Sequence, residues 1–222
     1  MSNVFNMLRI AQFTFSPIAE NTYVLFAPGG EAAIVDPGAY FAEEQAQLEA
    51  FITEQQLQVR YLLQTHCHLD HVFGLQACAN RYGLQPHMHP LEQQVLAWAP
   101  ESGRRWQLPF ECYSGPVHYL QGGQQLSLAG QTLQVLEVPG HSPGHVAFYN
   151  AAGGFIVSGD VLFQGSIGRT DLPGANHQQL LSSIATQLWP LPDATVVLSG
   201  HGEATTIGAE KQTNPFLQDL PA

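Results

Sequence analysis

Thr65-His66-Cys67-His68-Leu69-Asp70-His71 sets four imidazole or carboxylate side chains within six positions, between the apolar strand pattern Val59 to Leu63 and a helical pattern from Val72 to Tyr82. In extended backbone His66 and His68 project to one side, so both can reach one metal ion. Asp70 and His71 fall where the chain turns into the helix and can address a neighbouring position. Cys67 stands between the two same-side histidines and therefore points away, as a small buried thiol. Ligand types this dense after a strand fit a metal site better than a capping turn.

Upstream, Val4 to Val35 reads as strands: a run near Met7 to Phe15, then Thr22 to Phe26, a turn at Pro28-Gly29-Gly30, and Ala32 to Val35. Phe41 to Gln56 follows as an amphipathic helix, with Phe41, Leu48, Phe51 and Ile52 at helical spacing. Downstream, Gly83 stops the helix that follows the histidine stretch. A second helix is expected around Leu91 to Ala99, stopped by Pro100, and Glu101 to His118 reads as a loop near the site. The β pattern then returns as two hairpins. Gln125 to Leu128 and Thr132 to Val138 flank Ala129-Gly130, and His145 to Tyr149 and Phe155 to Ser158 flank Ala151 to Gly154. Asn176 reads as the N-cap of a helix burying Leu180, Leu181, Ile184 and Leu188, before a strand at Thr195 to Ser199 and a short helix near Ile207 to Gln212. Two β-rich halves, each closed by helices, predict an α/β fold: a four-layer αβ/βα sandwich in which two mixed β-sheets pack face to face with helices outside, residues 1–222 forming one domain.

Composition narrows the function. The 222 residues hold 10 His against 7 Lys+Arg, and the net charge of −11 leaves no basic stripe for nucleic acid. The longest apolar runs, such as Tyr23 to Ala27 and Ala194 to Leu198, fall far below the roughly 20 residues of a membrane span, so no membrane partner is expected. The N-terminal MSNVFNMLRIAQF lacks the basic and apolar regions of a secretory signal, and the three cysteines show no CxxC spacing. A reducing, cytoplasmic location is expected, and a metal site built from histidine and carboxylate rather than cysteine.

Three later residues occupy the same kind of place as the histidine stretch, a loop just after a strand. His141 lies in PGHSPGH, Asp160 in SGD and His201 in SGHG, each beside a glycine (Gly140, Gly159, Gly200) that lets backbones approach closely. Together they make five histidines and two aspartates, the set needed for two adjacent divalent ions. The second HxH, His87-Met88-His89-Pro90, has no following Asp-His and reads as structural; His145 reads as a packing or supporting residue.

HxHxDH, Gly-His, Gly-Asp and Gly-His in this order resemble the metallo-β-lactamase fold superfamily, over nearly the whole chain. By that resemblance His66, His68 and His141 hold the first metal, Asp70, His71 and His201 the second, and Asp160 bridges them. Asp36, in IVDPG, supports the site without being a ligand. PGHSPGH, SGDVLF, GRTDLPG and the tail NPFLQ look most like glyoxalase II (hydroxyacylglutathione hydrolase), especially its short single-domain bacterial YcbL type. Flavodiiron proteins usually carry Glu at the position of His68, and secreted β-lactamases carry a signal peptide. The chain departs from two-domain glyoxalase II enzymes in ending 21 residues after His201, without a helical domain to grip glutathione.

The resemblance implies two divalent ions, zinc with iron or manganese as alternatives, and a small anionic thioester substrate such as S-D-lactoylglutathione, cleaved to D-lactate and glutathione. Asp70 then both binds metal and orients the attacking hydroxide. Arg169, in GSIGRTDLPG, either contacts the anionic substrate, as the matching basic residue does in glyoxalase II, or pairs with Asp171 at the surface. The enzymatic rival is a persulfide dioxygenase, which shares GRTD and uses one Fe(II) held here by His66, His141 and Asp160. A non-catalytic metal-binding domain is the remaining reading, disfavoured because no ligand is missing.

Overall fold

The computed structural model describes residues 7–218 and Leu220. Val4 to Asn6, the head of the expected β-rich start and of the segment read for a signal, lie outside the described residues. The first sheet is drawn wholly from the N-terminal half. Strands β1 (Arg9–Phe15), β2 (Glu20–Phe26) and β3 (Glu31–Val35) run antiparallel in turn, and helix α1 (Ala42–Glu54) returns the chain to β4 (Gln58–Leu63), parallel to β3. A 3₁₀ turn (Leu69–Val72) and helix α2 (Leu75–Tyr82) lead to β5 (Pro86–Met88), and helix α3 (Glu92–Arg105) leads to β6 (His118–Tyr119), both added in parallel. The resulting order is β1-β2-β3-β4-β5-β6.

The second sheet takes β7 (Gln125–Leu128), β8 (Gln131–Glu137), β9 (Val146–Asn150) and β10 (Phe155–Gly159) as an antiparallel meander. A small separate hairpin, β11 (Leu162–Phe163) with β12 (Ser166–Ile167), follows β10. Helix α4 (His177–Ser183) continues as a π-helical turn (Ile184–Leu188), then β13 (Val196–Ser199) joins β10 in parallel, followed by β14 (Thr205–Thr206) and helix α5 (Ile207–Thr213). Asn176 caps α4, its Oδ1 accepting the Gln179 amide at 3.0 Å as the sequence predicts.

The period of two along the strands sorts the core into three layers of contact. On β2 and β3, Val24, Phe26, Ala32 and Ile34 pack with Leu48 of α1, Leu75 of α2 and Val95 of α3. Their alternates Tyr23, Leu25, Ala33 and Val35 meet Leu133, Val135, Phe148 and Val157 of the second sheet. The opposite face of that sheet, with Leu136, Ile156 and Val197, is covered by Leu180, Ile184 and Leu188. Helix on sheet, sheet on sheet and sheet on helix make the four-layer αβ/βα arrangement, with both sheets mixed.

Three local expectations are corrected. Pro100 does not stop α3, which runs on to Arg105. Proline removes the donor for the carbonyl four residues back, and here that carbonyl, Leu96 O, receives the Cys112 thiol at 3.5 Å instead. The stretch after Pro100 is accordingly helical for a further turn before the chain loops to β6. The helix expected from Val72 starts at Leu75, because Asp70 and His71 sit on a separate 3₁₀ turn and the Gly74 amide is taken by Pro37 O at 2.8 Å. Among the described residues, no helix is long and apolar enough to cross a membrane.

Candidate metal centre

Both sheets end their strands at one rim, and the seven residues singled out in the sequence meet there. His66 and His68 follow β4, Asp70 and His71 ride the 3₁₀ turn, His141 follows β8, Asp160 follows β10 and His201 follows β13. They form two triads. His66, His68 and His141 bring one ligand atom each within 4.8 Å of one another, and so do Asp70, His71 and His201. Asp160 lies between them: its Oδ2 is 3.5 Å from His141 Nε2 and 3.7 Å from His201 Nε2, while Oδ1 is 3.5 Å from His71 Nε2.

In four of the five rings the nitrogen facing away from this centre is tied down. His141 Nδ1 donates to Arg169 O at 2.8 Å and His201 Nδ1 to Ala19 O at 3.1 Å. His71 Nδ1 donates to Asp36 Oδ2 at 3.0 Å, and His66 Nδ1 to Thr65 Oγ1 at 3.1 Å, whose own hydrogen goes to Asp36. Four rings are thereby held in the tautomer that turns the Nε2 lone pair inward. His68 uses its other nitrogen, Nδ1, which stands 2.8 Å from His141 Nε2.

Buried atoms without a partner test whether ions fit. His66 Nε2, His71 Nε2 and Asp160 Oδ1 are buried and make no hydrogen bond, and all three face this one point. Other buried atoms, such as Tyr82 Oη and Thr195 Oγ1, are bare as well, but three bare atoms gathered at one rim fit a place where something else binds. Imidazole nitrogens and carboxylate oxygens are the donor set of zinc, iron and manganese. A third grouping, Asp36 with His66 and His71, is also close enough, but Asp36 is spent: Oδ1 accepts the Thr65 amide at 2.7 Å, and Oδ2 takes Thr65 Oγ1 and His71.

Charge is arranged to match. Burial, with His71 adding to it, holds the His66 imidazole well below its usual range, and burial pushes His68 down to about 3. Both are neutral at pH 7, the form in which an imidazole can bind a metal. Burial works the other way on Asp160 and Asp70, yet the neighbouring imidazoles, His71 first, hold both carboxyls below the usual carboxylate range. His71 and His201 are raised in spite of burial, His71 chiefly by Asp70 and Asp160 and His201 by its hydrogen bond to Asp70.

Four buried side chains that hold the centre were not singled out, or not given a partner, in the sequence. Glu92, at the start of α3, accepts the Cys67 amide (2.7 Å), Ser142 Oγ (2.6 Å) and the Gly144 amide (2.7 Å), pinning the first histidine loop to PGHSPGH. Gln64 Nε2 donates to His71 O at 3.0 Å. Glu20 lies buried, its Oε1 3.9 Å from His71 Nδ1. His145 stacks on His66 at 4.6 Å, and its Nε2 accepts the Asp160 amide at 3.1 Å. No local motif announces Glu92, Gln64 or Glu20: Gln64 leaves only the trace of an amide ending the apolar run Tyr61-Leu62-Leu63, while Glu92 and Glu20 are followed by further polar residues and leave none. Cys67 turns away as expected, its sulfur 3.5 Å from Met88 Sδ. His87 and His89 stay outside the centre, stacked on His118 and 3.5 Å from Glu137 respectively. Arg169 lines the cavity above the site and is paired with Asp171 through two bonds of 2.7 and 2.8 Å.

With this geometry in place, the comparison with known families decides the lineage. The family model of the metallo-beta-lactamase superfamily matches residues 16–201, a span that includes all seven converging residues. The chain belongs to the metallo-beta-lactamase superfamily. Among similar members of it is a hydroxyacylglutathione hydrolase, GloC, of Haemophilus influenzae, 38% identical over 89% of this chain and 92% of its own length. Two solved structures of metallo-beta-lactamase fold are also close. BLEG-1, titled a B3 metallo-beta-lactamase, has a TM-score of 0.86 at 38% identity and covers 94% of this chain and 99% of its own. TTHA1623, titled as di-iron-bound, has a TM-score of 0.85 at 40% identity and covers 93% and 100%. The chain is thus a metallo-hydrolase of this superfamily by lineage, with the superfamily's His/Asp groups brought to one place.

Proposed function

We propose that the protein is a binuclear metal-dependent thioester hydrolase of the glyoxalase II kind, cleaving S-D-lactoylglutathione or a related hydroxyacyl thioester to D-lactate and the free thiol. The observation that carries this is Asp160, whose two oxygens address both histidine triads at 3.5 to 3.7 Å. His66, His68 and His141 would hold one ion, Asp70, His71 and His201 the other, and Asp160 both. Zinc is the expected metal; iron or manganese suits the same donors, and the di-iron form of a 40% identical structure supports iron. When bound, such a pair would lower the pKa of a bound water towards about 7 and polarise a carbonyl oxygen.

The chain's own groups supply the rest. Asp70 stays a carboxylate at neutral pH, lines the cavity, and has one oxygen 3.1 Å from His201 Nε2. It accepts a hydrogen bond from the attacking water and fixes its direction. His145 holds the Asp160 backbone, and Asp36 holds His71, so the carboxylates and rings are set before substrate arrives. A thiolate leaves without strong protonation, its acid having a pKa of about 8.5, so no further general acid is needed. Arg169 can meet an anionic group of the substrate if it gives up Asp171. A cytoplasmic location belongs to the same reading, and the free Cys67, Cys78 and Cys112 support it.

The test is metal analysis of protein purified without added metal, with thioester hydrolysis and oxygen consumption on glutathione persulfide measured side by side. Two ions per chain with thioester cleavage is the expected result. One iron per chain with sulfite formation and no thioester cleavage would instead establish the dioxygenase held by His66, His141 and Asp160.

A further inference from the structure

The metal-site residues open into a cavity of about 870 Å³, near the upper end of ligand pockets, about 300–1,000 Å³. A lactoyl group occupies a small part of it. Much of the remainder is walled by apolar side chains: Trp98 and Trp106 on and just after α3, Phe163 and Ile167 on the β11–β12 hairpin, and Leu172 and Pro173 beyond Arg169. Trp98 is 41% and Trp106 60% exposed. Large aromatic surface left open beside a site is surface kept for a ligand.

The charges at the mouth cancel. Arg104 and Arg105 share Glu101, at 2.6 and 3.2 Å, and Arg169 is held by Asp171. Glu203 adds a further carboxylate to the wall. Exposed pairs like these are weak singly, but the two guanidiniums that line the cavity, Arg105 and Arg169, are matched in number by Glu101 and Glu203, which leaves the wall away from the metal-site residues no surplus positive charge for the two carboxylates of a glutathione arm.

We propose that this wall is a subsite for an uncharged, apolar arm carried on the sulfur of the thioester, and that thioesters with such an arm are better substrates than S-lactoylglutathione. The proposal rests on the hydrolase reading above, which puts the small hydroxyacyl group at the metals and leaves the cavity to the sulfur side. Trp98 and Trp106 are the specificity-determining residues, contacting the arm by stacking and burial.

Two substrates separate the possibilities: S-lactoylglutathione and the lactoyl thioester of benzyl mercaptan, whose thiols are of similar acidity. With metal-loaded enzyme the benzyl thioester is expected to show a kcat/KM about tenfold higher, mainly through KM. In Trp98→Ala and Trp106→Ala that ratio falls towards one, and Trp98→Phe restores it. A wild-type preference for the glutathione thioester, or a ratio unchanged in both alanine variants, overturns the proposal. If neither thioester is cleaved, the hydrolase reading falls, and calorimetric titration of the uncleaved benzyl thioester decides the subsite. Binding to the wild type weakened about tenfold in Trp98→Ala upholds it, and absence of binding to the wild type refutes it.

Discussion

A methyl group on Gly200 would be driven into Asp160 Oδ1 and to within 2.8 Å of the His71 ring. Gly200 of SGHG is therefore required by the space the Asp160 carboxylate occupies. Gly200→Ala should keep the fold, lower bound metal below that of the wild type, and cut activity by about 100-fold, the scale of a displacement near 1 Å at a reacting centre. Full metal content in the variant, read by plasma emission, would show that the close approach does not matter. A second residue-scale outcome lies outside the centre. Burial, reinforced by the stacked His118 ring, pushes the His87 imidazole down to about 4. In the unfolded chain it titrates near 6.5, so between about 6.5 and 4 the unfolded state holds a proton the folded state refuses, and stability falls as pH is lowered through that window. The urea midpoint of His87→Phe should drop less between pH 7.5 and 5 than that of the wild type; identical drops would remove His87 from the acid sensitivity.

At the scale of elements, helix α5 and its tail act on the cavity from behind. Glu210 accepts Thr205 Oγ1 at 2.6 Å, the Gly165 amide at 2.9 Å and Asn214 Nδ2 at 2.8 Å, and Asn214 Nδ2 also reaches Ser166 O at 2.9 Å. The asparagine of NPFLQ thus fastens the β11–β12 hairpin that carries Phe163 and Ile167. Glu210→Ala leaves the buried Thr205 hydroxyl without its acceptor and removes one bond each from Gly165 and Asn214, and should destabilise the protein by about 1–3 kcal/mol in urea unfolding, with KM rising as the cavity wall loosens. A KM left as in the wild type would confine Glu210 to a stability role. These cases also show which elements were legible. The strands, their hairpins and the ligand loops were, since alternation, turn residues and HxHxDH are written in consecutive residues. The passage of α3 through Pro100 was not, because the carbonyl it bares is satisfied by Cys112 of another segment. Glu92 was hidden for the same reason, as its partners are 25, 50 and 52 positions away.

For the molecule as a whole, each sheet comes from one half of the chain: β1 to β6 end at Tyr119 and β7 begins at Gln125. The halves are stitched across the centre by Asn21 Nδ2 and Tyr23 Oη, both donating to Ser199 O, at 3.1 and 2.7 Å. Fragments cut between Gly122 and Gly123 should reassemble when mixed. Recovery of metal binding and turnover at equimolar ratio would demonstrate it, and failure to co-purify would show that the short link is needed.

The same division has a consequence for biosynthesis. The leading half carries His66 and His68 of one triad and Asp70 and His71 of the other, and the trailing half adds one histidine to each plus the shared Asp160. A nascent chain emerging from the ribosome therefore shows two incomplete pairs until its last strands are made. On the binuclear reading, an ion captured early would be held by half a coordination sphere and tight capture would coincide with the docking of the two sheets, so that metal supply and final assembly would become a single late event.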